Sequence, residues 1–332
     1  MMAPAQPDGG RLTRDVLSWL VRRACAEEVA TCQRNRGSGR AREVHEVVTA
    51  SGARLVIRGE AHESNGLDQE AWFLARARQA GVPVPEVVWL GAVETPAGPK
   101  TVVVQTVVVQ TAVVGRPLST ALPGMSAGQR RSAARSCGQV IARLHSVPVG
   151  GFYRRHADGS FEFADNAALQ AADLANRLDN LRLLAGAGLT QTGLTQAEVR
   201  RAEGLLPEAV AARGDGPAVL CHGELFPGHI FVATGEDEAV TVTGLIDFGD
   251  ACGGRPLDDL ALLCWEWPEV DRAALAAGYG AAPFWTDQGR RLALGQLRML
   301  IGYTAHDLRA GQPAGAQGYL AGLKAVLASP AL

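Results

Sequence analysis

The chain has 332 residues and a formal net charge of −2, and this length allows one large domain or two lobes with separate hydrophobic cores. The sequence pI of about 6.4 disfavours a nucleic-acid-binding protein, because a protein that neutralises phosphates needs a basic surface. The sequence has no run of about 18 or more apolar residues, so we expect no membrane span.

The cysteines and the N-terminal residues indicate a cytoplasmic protein. The six cysteines do not show the paired spacing of a metal site, and free thiols are typical of a reducing compartment. Residues Met1 to Gly10 lack the apolar core of a signal peptide. Lys100 and Lys324 are the only lysines, so any phosphate contact is expected to come mainly from arginine or from backbone amides.

The first part of the chain predicts a helix followed by a β-meander. Apolar residues recur at helical spacing from Asp15 to Ala30. Three β-like segments follow, and tight turns join them. One of these turns contains Ser38 between two glycines, where backbone amides could approach a phosphate. A plain hairpin turn is the commoner interpretation of such a loop taken alone.

A second helix and two strands are predicted next. The helix runs from Leu67 to Ala80 and ends before two prolines that cannot continue it. The strands run from Glu86 to Val93 and from Lys100 to Val114. The second contains a direct repeat of Thr-Val-Val-Val-Gln, which is β-prone by composition, so we predict one long strand with room for a bulge.

From Gly115 onward the chain is mainly helical. Helical spacing of apolar residues predicts seven further helices, at Gln129–His145, Ala167–Leu184, Thr195–Ala212, Asp258–Trp265, Asp271–Ala277, Thr286–Arg309 and Ala316–Leu327. Thr195 and Glu198 have the spacing of a capping box. The prediction is therefore an α+β protein, with a small β-rich lobe over residues 1–114 and a large helical lobe over residues 115–332. The cleft between two lobes is a natural place for a ligand.

Acids and histidines are concentrated between three short β-like segments of the second lobe. His222-Gly223-Glu224 and His229 follow the first of these strands, and Asp247 and Asp250 follow the last. Loops carried by strands are where a rigid scaffold presents chemistry. Each motif alone is more often a turn than a catalytic element.

Taken in this order, these motifs resemble those of the aminoglycoside phosphotransferase family, which is related to the protein kinases. The family has His-Gly-Asp, an Asn five residues later and a second acid at the end of an Ile-Asp strand. This chain has Glu224 at the position of the first Asp and His229 at the position of the Asn. Some antibiotic kinases of the family also have His there. The resemblance covers most of the chain and implies a two-lobed, protein-kinase-like fold.

The resemblance implies a set of nucleotide contacts in the first lobe. Arg58 corresponds to the phosphate-contacting Lys or Arg, and Glu70 corresponds to its ion-pair partner. Gln110 to Gly115 correspond to the hinge that holds the purine, which makes Gln110, Thr111 and Val113 candidate nucleotide contacts. Ser38 in the glycine-containing turn becomes a candidate phosphate contact.

The resemblance also implies the catalytic roles in the second lobe. Glu224 would orient the acceptor hydroxyl and take its proton, since Glu carries the same functional group as Asp. Asp247 would bind Mg²⁺ through a hard carboxylate oxygen. His229 is a softer ligand that would bind a metal weakly or contact a phosphate. His222 and Asp259 are expected to support the site.

Two further acids have open roles. Asp250 could contact the substrate or a second metal, and a loop-capping role is equally consistent with its position. Glu266 could attract a cationic substrate, whereas a solvated loop is the alternative.

The expected function is phosphoryl transfer from ATP or GTP to a hydroxyl group of a small molecule, with Mg²⁺ as cofactor. The acceptor would be an antibiotic, such as an aminoglycoside, a macrolide or a nucleoside antibiotic of the capuramycin type. One alternative is a metabolite kinase acting on choline, homoserine, a sugar or a fructosamine. Another is a pseudokinase that binds nucleotide without transferring phosphate. The sequence does not distinguish ATP from GTP, and it leaves the oligomeric state open.

Overall fold

The computed structural model describes residues 12–34, 43–61, 66–98, 101–186, 193–236, 238–280 and 289–332. Ser38 and its turn lie outside these residues. The chain divides into two compact units. The first contains Met1–Val114 and Gly244–Gly249, and the second contains Gly115–Thr243 and Asp250–Leu332.

Among its described residues, the first unit contains two helices and a five-stranded antiparallel sheet. The helices are α1 (Arg14–Cys25) and α2 (Gly66–Gln79). The strands are β1 (Val29–Arg34), β2 (Glu43–Thr49), β3 (Arg54–Ala61), β4 (Val87–Gly98) and β5 (Thr101–Thr111). Their order in the sheet is β1-β2-β3-β5-β4.

Both faces of strand β5 are covered. Val107, Val108 and Val109 are all buried, and successive residues of a strand point to opposite faces of the sheet. Val107 and Val109 belong to the core that α1 forms with the sheet. Helix α2 contacts β4 and β5, and its buried residues include Phe73 and Glu70. The sheet thus carries Arg58 and Gln110, on neighbouring strands β3 and β5, in a closely packed environment.

The second unit is mainly helical. Its helices are α3 (Leu118–Ala121), α4 (Ala127–His145), α5 (Asn166–Gly186), α6 (Gln196–Ala211), α7 (Pro256–Glu266), α8 (Arg272–Tyr279), α9 (Arg290–Arg309) and α10 (Pro313–Leu327). A hydrophobic core of this unit is formed mostly by residues of α5, α6, α7, α9 and α10. The predicted capping box of α6 is confirmed, because Thr195 accepts a hydrogen bond from the Glu198 amide and Glu198 accepts one from the Thr195 amide.

Short strands in two small sheets carry the loops of the second unit. The strands are β6 (Arg116–Pro117), β7 (Phe152–Arg155), β8 (Phe161–Phe163), β9 (Val219–Cys221), β10 (Ile230–Thr234), β11 (Val240–Leu245) and β12 (Cys252–Gly254). The sheet orders are β11-β10-β6 and β8-β7-β12-β9. Residues Gly244 and Leu245 at the end of β11 already belong to the first unit.

The predicted α+β class, with a β-rich first part and a helical second part, is confirmed. Three local predictions differ from the structure. Helix α1 ends at Cys25 because Ala26 adopts a left-handed conformation, so Val29 belongs to β1. The bulge that was allowed for in the second strand of the long hairpin, β5, is instead represented by two shifts of register in the first strand, β4. These shifts lie between Val87 and Trp89 and between Pro96 and Gly98. The β7–β8 hairpin was not predicted. None of the described helices is both long enough and apolar enough to cross a membrane.

Candidate active site

The loop between β9 and β10, residues 222–229, contains Glu224, His222 and His229 and is named the HGE loop below. A single carboxylate on α7, that of Asp259, anchors its start. Asp259 accepts the backbone N–H of His222 at 2.7 Å and that of Gly223 at 2.9 Å. Asp259 and the His222 side chain are both buried. The loop therefore begins at a fixed point in the interior of the second unit.

Asp259 is ionised at neutral pH. Burial raises the pKa of its carboxyl group. Stronger effects in the other direction come from the hydrogen bond with His145, from the nearby imidazoles of His145 and His222, and from the His222 amide. The pKa therefore lies below its usual value. His145 Nε2 lies 3.0 Å from Asp259 Oδ2. A buried carboxylate that accepts three hydrogen bonds is a stable anchor, because its desolvation is compensated.

Gly223 allows the HGE loop to turn sharply beside Asp250. Its φ is +82°, a conformation that favours glycine. A Cβ atom at this position would lie 2.2 Å from the backbone oxygen of Asp250. Any side chain here would therefore displace the loop or the turn at Phe248–Asp250.

Two imidazoles hold the main chain of Glu224. Its N–H donates to Nδ1 of His222 at 3.3 Å, and its carbonyl oxygen accepts Nδ1–H of His229 at 2.9 Å. The same carbonyl accepts the amide of Phe226 at 2.8 Å. The rings of His222 and His229 are stacked with their centroids 6.0 Å apart. Contacts on both sides of the Glu224 Cα atom thus fix the direction in which its partly buried side chain leaves the backbone.

In the first unit, Arg58 links the groups that were predicted to bind nucleotide and metal. Its Nη2 donates hydrogen bonds to Glu70 on α2 and, at 3.3 Å, to Gln110 on β5. Its Nη1 lies 3.9 Å from the Asp247 carboxylate. Only 11% of the Arg58 side chain and 2% of the Glu70 side chain are exposed. A planar guanidinium can contact three partners in this way, whereas an ammonium group is a compact point charge.

Asp247 lies in a conformationally unusual turn of the first unit. Its φ is +65°, which is uncommon for a residue other than glycine, and such outliers cluster at functional sites. The preceding segment is fixed, because Leu245 N–H donates to the Pro83 carbonyl at 2.8 Å. A Cβ atom at Gly244 would lie 2.2 Å from Val113. The Asp247 side chain is 43% exposed, so this fixed turn presents a carboxylate to solvent.

The remaining predicted residues fall into separate groups. Gln110 is buried, and its amide oxygen faces Arg58. Thr111 is tied to Glu86, whose N–H it accepts at 2.9 Å through Oγ1. Glu266 is exposed at the end of α7, and Ser38 lies outside the described residues.

A buried ionic cluster holds α7, and with it Asp259. Asp173 on α5 pairs with Arg213 at 3.4 Å and with Arg298 on α9 at 2.9 Å. Arg213 and Arg298 also pair with Asp258, the neighbour of Asp259. Arg177 adds a third guanidinium at 3.0 Å from Asp173. Buried ion pairs of this kind are costly to break on one side only, so the cluster fixes the segment that anchors the HGE loop.

A pair of tyrosines in the second unit was not predicted from the sequence to have a role. The rings of Tyr303 on α9 and Tyr319 on α10 have centroids 5.2 Å apart. Burial and then the charge of Glu224 raise the pKa of Tyr303. Burial, Glu266, Asp307 and Glu224 raise the pKa of Tyr319. The one feature of the sequence that could have drawn attention to this pair is that two of the four tyrosines occur in these last two helices.

A separate cavity of about 310 Å³ is present in the second unit. It is lined by residues 149–152, 164–166 and 216–218. None of the predicted site residues lines it, and its walls contain several glycines without side chains. We therefore do not assign it to the reaction.

The sequence matches the model of the phosphotransferase enzyme family over residues 33–294. This match includes Arg58, Glu70, the HGE loop and Asp247. No curated protein matches the chain at a significant level.

Solved structures with the same fold include kinases of several small molecules. Macrolide 2′-phosphotransferase MphH from Brachybacterium faecium is 21% identical, with a TM-score of 0.59 over 96% of this chain and 98% of that chain. Aminoglycoside 2′-phosphotransferase-IIIa in its GDP complex is 17% identical, with a TM-score of 0.66 over 95% and 99%. A putative fructosamine-3-kinase from Thermobifida fusca is 21% identical, with a TM-score of 0.55 over 92% and 98%. At these identities the similarity establishes a shared fold.

Proposed function

The chain belongs to the phosphotransferase enzyme family, and on this basis we propose that it transfers the γ-phosphoryl group of ATP or GTP to a hydroxyl group of an antibiotic. The observation that carries this proposal is the fixed main chain of Glu224. His222 and His229 hold its N–H and its carbonyl oxygen, and Asp259 fixes the two preceding amides. Phosphoryl transfer depends mainly on positioning, and the held main chain of this loop supports Glu224 as the carboxylate that acts on the acceptor.

Glu224 is assigned the role of the base. Its carboxylate orients the acceptor hydroxyl and takes the proton as the oxygen attacks the γ-phosphorus, while the bond from that phosphorus to the bridging oxygen of the β-phosphate breaks and the nucleoside diphosphate leaves. The extra methylene relative to Asp would move the carboxylate oxygens by roughly one bond length, and a misplacement of about 1 Å can cost on the order of a hundredfold in rate. The doubly held backbone supports an adapted site, because it fixes where this longer side chain begins.

Arg58 is assigned to the nucleotide phosphates. It is positioned by Glu70 and Gln110, and a guanidinium is well suited to phosphate oxygens. Gln110 acts here through its side chain on Arg58, which is a different role from the hinge contact that the sequence suggested. Thr111 and Val113 remain candidates for the backbone contacts of the purine.

The available donor atoms fit Mg²⁺. Asp247 offers a carboxylate that is 43% exposed, and carboxylate oxygen is the preferred ligand of this ion. His229 uses Nδ1–H for the Glu224 carbonyl, so in its neutral form Nε2 is the nitrogen that carries the lone pair. A bound Mg²⁺ would offset negative charge on the phosphates.

The nature of the acceptor is supported by two observations. Structures of the same fold are named as phosphotransferases of macrolides and aminoglycosides. The charge of Glu224 contributes to the raised pKa values of Tyr303 and Tyr319, whose ring centroids lie 5.2 Å apart, and such a pair of aromatic rings can pack against the ring system of an acceptor. A metabolite kinase is the second candidate, because a putative fructosamine-3-kinase has the same fold.

The experiment is an assay of acceptor-dependent nucleotide consumption with ATP and GTP tested separately. The panel should contain aminoglycosides, macrolides, capuramycin-type nucleosides, choline, homoserine and a fructosamine, with products identified by mass spectrometry. The proposal expects one antibiotic class to gain a phosphoryl group. Turnover with no compound would contradict it, and turnover of a metabolite alone would select the second candidate. Glu224→Asp should lower the rate if the site is adapted to Glu, whereas a gain would indicate a degenerate site.

A further inference from the structure

The anchor of the HGE loop continues beyond Asp259 to a tyrosine on another helix. His145, the last residue of α4, has Nε2 at 3.0 Å from Asp259 Oδ2 and Nδ1 at 3.0 Å from the hydroxyl of Tyr279, the last residue of α8. The His145 and Tyr279 rings are in edge contact, with centroids 5.7 Å apart. A continuous chain of hydrogen bonds therefore runs from Tyr279 through His145 and Asp259 to the amides of His222 and Gly223.

Two glycines bring Tyr279 to His145. A Cβ atom at Gly138 of α4 would lie 2.2 Å from the Leu275 carbonyl oxygen, and one at Gly278 of α8 would lie 2.0 Å from the Arg135 carbonyl oxygen. The two helices therefore touch through their backbones, a distance that only glycine permits. This contact places the C-terminal ends of α4 and α8 side by side.

The chemistry of Asp259, His145 and Tyr279 determines which group donates and which accepts in each of these hydrogen bonds. Asp259 is a carboxylate, so it can only accept, and Nε2–H of His145 must donate to it. In the neutral imidazole Nδ1 is then the acceptor, and it receives the Tyr279 hydroxyl proton. Burial, followed by the charges of Cys221 and Asp259, raises the pKa of Tyr279, so the phenol keeps this proton at neutral pH. Each group thus fixes the hydrogen-bonding role of the next.

We propose that Tyr279 is a positioning residue for the HGE loop, which it stabilises through His145 and Asp259. Asp259 sets the tautomer of His145, and the Tyr279 hydroxyl, which donates to Nδ1, holds the orientation of the ring. His145 in turn holds the carboxylate that accepts the His222 and Gly223 amides, and Glu224 is the next residue. The effect on catalysis rests on the proposed function, whereas the effect on the loop can be measured without a substrate.

Tyr279→Phe removes the hydroxyl and keeps the ring. Hydrogen exchange should be measured in peptides that cover residues 219–225 and in peptides from α9. The exposed Tyr153 provides the matched control variant Tyr153→Phe. The proposal expects about tenfold faster exchange at the His222 and Gly223 amides, which is the size of one lost hydrogen bond, with α9 and the control unchanged. Unchanged exchange at residues 222 and 223, or an equal increase throughout the chain, would overturn it.

A kinetic measurement on the same variants separates this proposal from the proposed function. With an acceptor in hand, Tyr279→Phe should lower kcat by about tenfold and leave the KM for nucleotide unchanged, because the loop positions the base and not the nucleotide. Equal kcat values for the variant and the wild type would contradict a positioning role. Absence of turnover in the wild type would count against the proposed function alone, since the exchange measurement would still decide the role of Tyr279.

Discussion

His229 donates its Nδ1–H to the carbonyl oxygen of Glu224 at 2.9 Å. A carbonyl oxygen can only accept, so this contact fixes the tautomer of the neutral imidazole and leaves its lone pair on Nε2. His229 therefore holds the backbone of the proposed base. In the proposed metal site it would also offer a nitrogen ligand.

His229→Asn should reduce the requirement for Mg²⁺. Amide oxygen is a harder ligand than imidazole nitrogen and is better suited to this ion. We expect the Mg²⁺ concentration for half-maximal rate to fall by about three- to tenfold, and the Co²⁺ concentration for half-maximal rate to rise, because imidazole suits the softer ion. The measurement is a metal titration of the initial rate. An unchanged requirement for both metals would remove His229 from the metal site.

Arg58→Lys should weaken nucleotide binding. The ammonium group keeps the charge but cannot contact Glu70, Gln110 and Asp247 together. We expect the dissociation constant of the nucleotide to rise by about tenfold, as measured by calorimetry. The matched control is Arg54→Lys, because Arg54 lies on the same strand and its ion pair with Glu46 is exposed. Equal affinities for the Arg58 variant and the wild type would contradict the phosphate role.

The buried ionic cluster should make stability depend on pH in the acid range. Burial raises the pKa of Asp173, but the charges of Arg298, Arg177 and Arg213 outweigh it and lower the pKa to about 2. Because this pKa is lower in the folded state than in the unfolded state, the Asp173 carboxylate stabilises the fold at pH values above its unfolded pKa near 4. This stabilisation is lost as the pH falls from about 4 towards 2. Its size is about 2 kcal/mol.

Urea unfolding of Asp173→Asn checks this contribution. The variant should be less stable than the wild type by about 3–5 kcal/mol at neutral pH, because it leaves guanidinium groups uncompensated. The difference in the free energy of unfolding between the wild type and Asp173→Asn should become smaller by about 2 kcal/mol as the pH falls from 4 to 2. Asp179→Asn on the same helix is the control, since the Asp179 ion pair is exposed, and it should stay within about 0.5 kcal/mol of the wild type. A difference for Asp173→Asn that does not vary with pH would contradict the assignment.

Gly138→Ala should destabilise the second unit. The added methyl group would lie 2.2 Å from a backbone oxygen of α8, and backbone cannot move aside as a flexible side chain can. We expect a loss of about 2–4 kcal/mol in the free energy of unfolding. Gly204→Ala in α6 is the control, because no atom lies within 4 Å of the added Cβ, and it should gain up to about 1 kcal/mol. Equal effects of the two substitutions would show that the helix contact is not tight.

The order of elements could be predicted from the sequence because strong periodicity and turn residues mark long helices and strands. Helix α1 illustrates the limit of this method. Val29 continues the apolar spacing of the helix, but the left-handed conformation of Ala26 ends it earlier, and periodicity does not encode that change. The β7–β8 hairpin was missed because strands of three or four residues carry too few positions for a pattern.

The HGE loop and the Asp247 turn could be selected as candidate site segments from the sequence, since both are continuous motifs, and their roles in the reaction stay predictions. The contacts that hold them come from distant segments. Tyr279 lies 134 positions from His145, and Asp259 lies 37 positions from His222. No local pattern links such pairs, so the positioning chain and the pair of tyrosines required the structure.

The role of Glu224 as the base is tested by the rate of phosphoryl transfer by Glu224→Gln, with Glu203→Gln on the exposed face of α6 as the control. The amide has nearly the shape of the carboxylate but cannot take a proton. We expect a loss of about a hundredfold or more in kcat, with the nucleotide dissociation constant within about threefold of the wild-type value. Transfer by Glu224→Gln at the wild-type rate would contradict the assignment of Glu224 as the base.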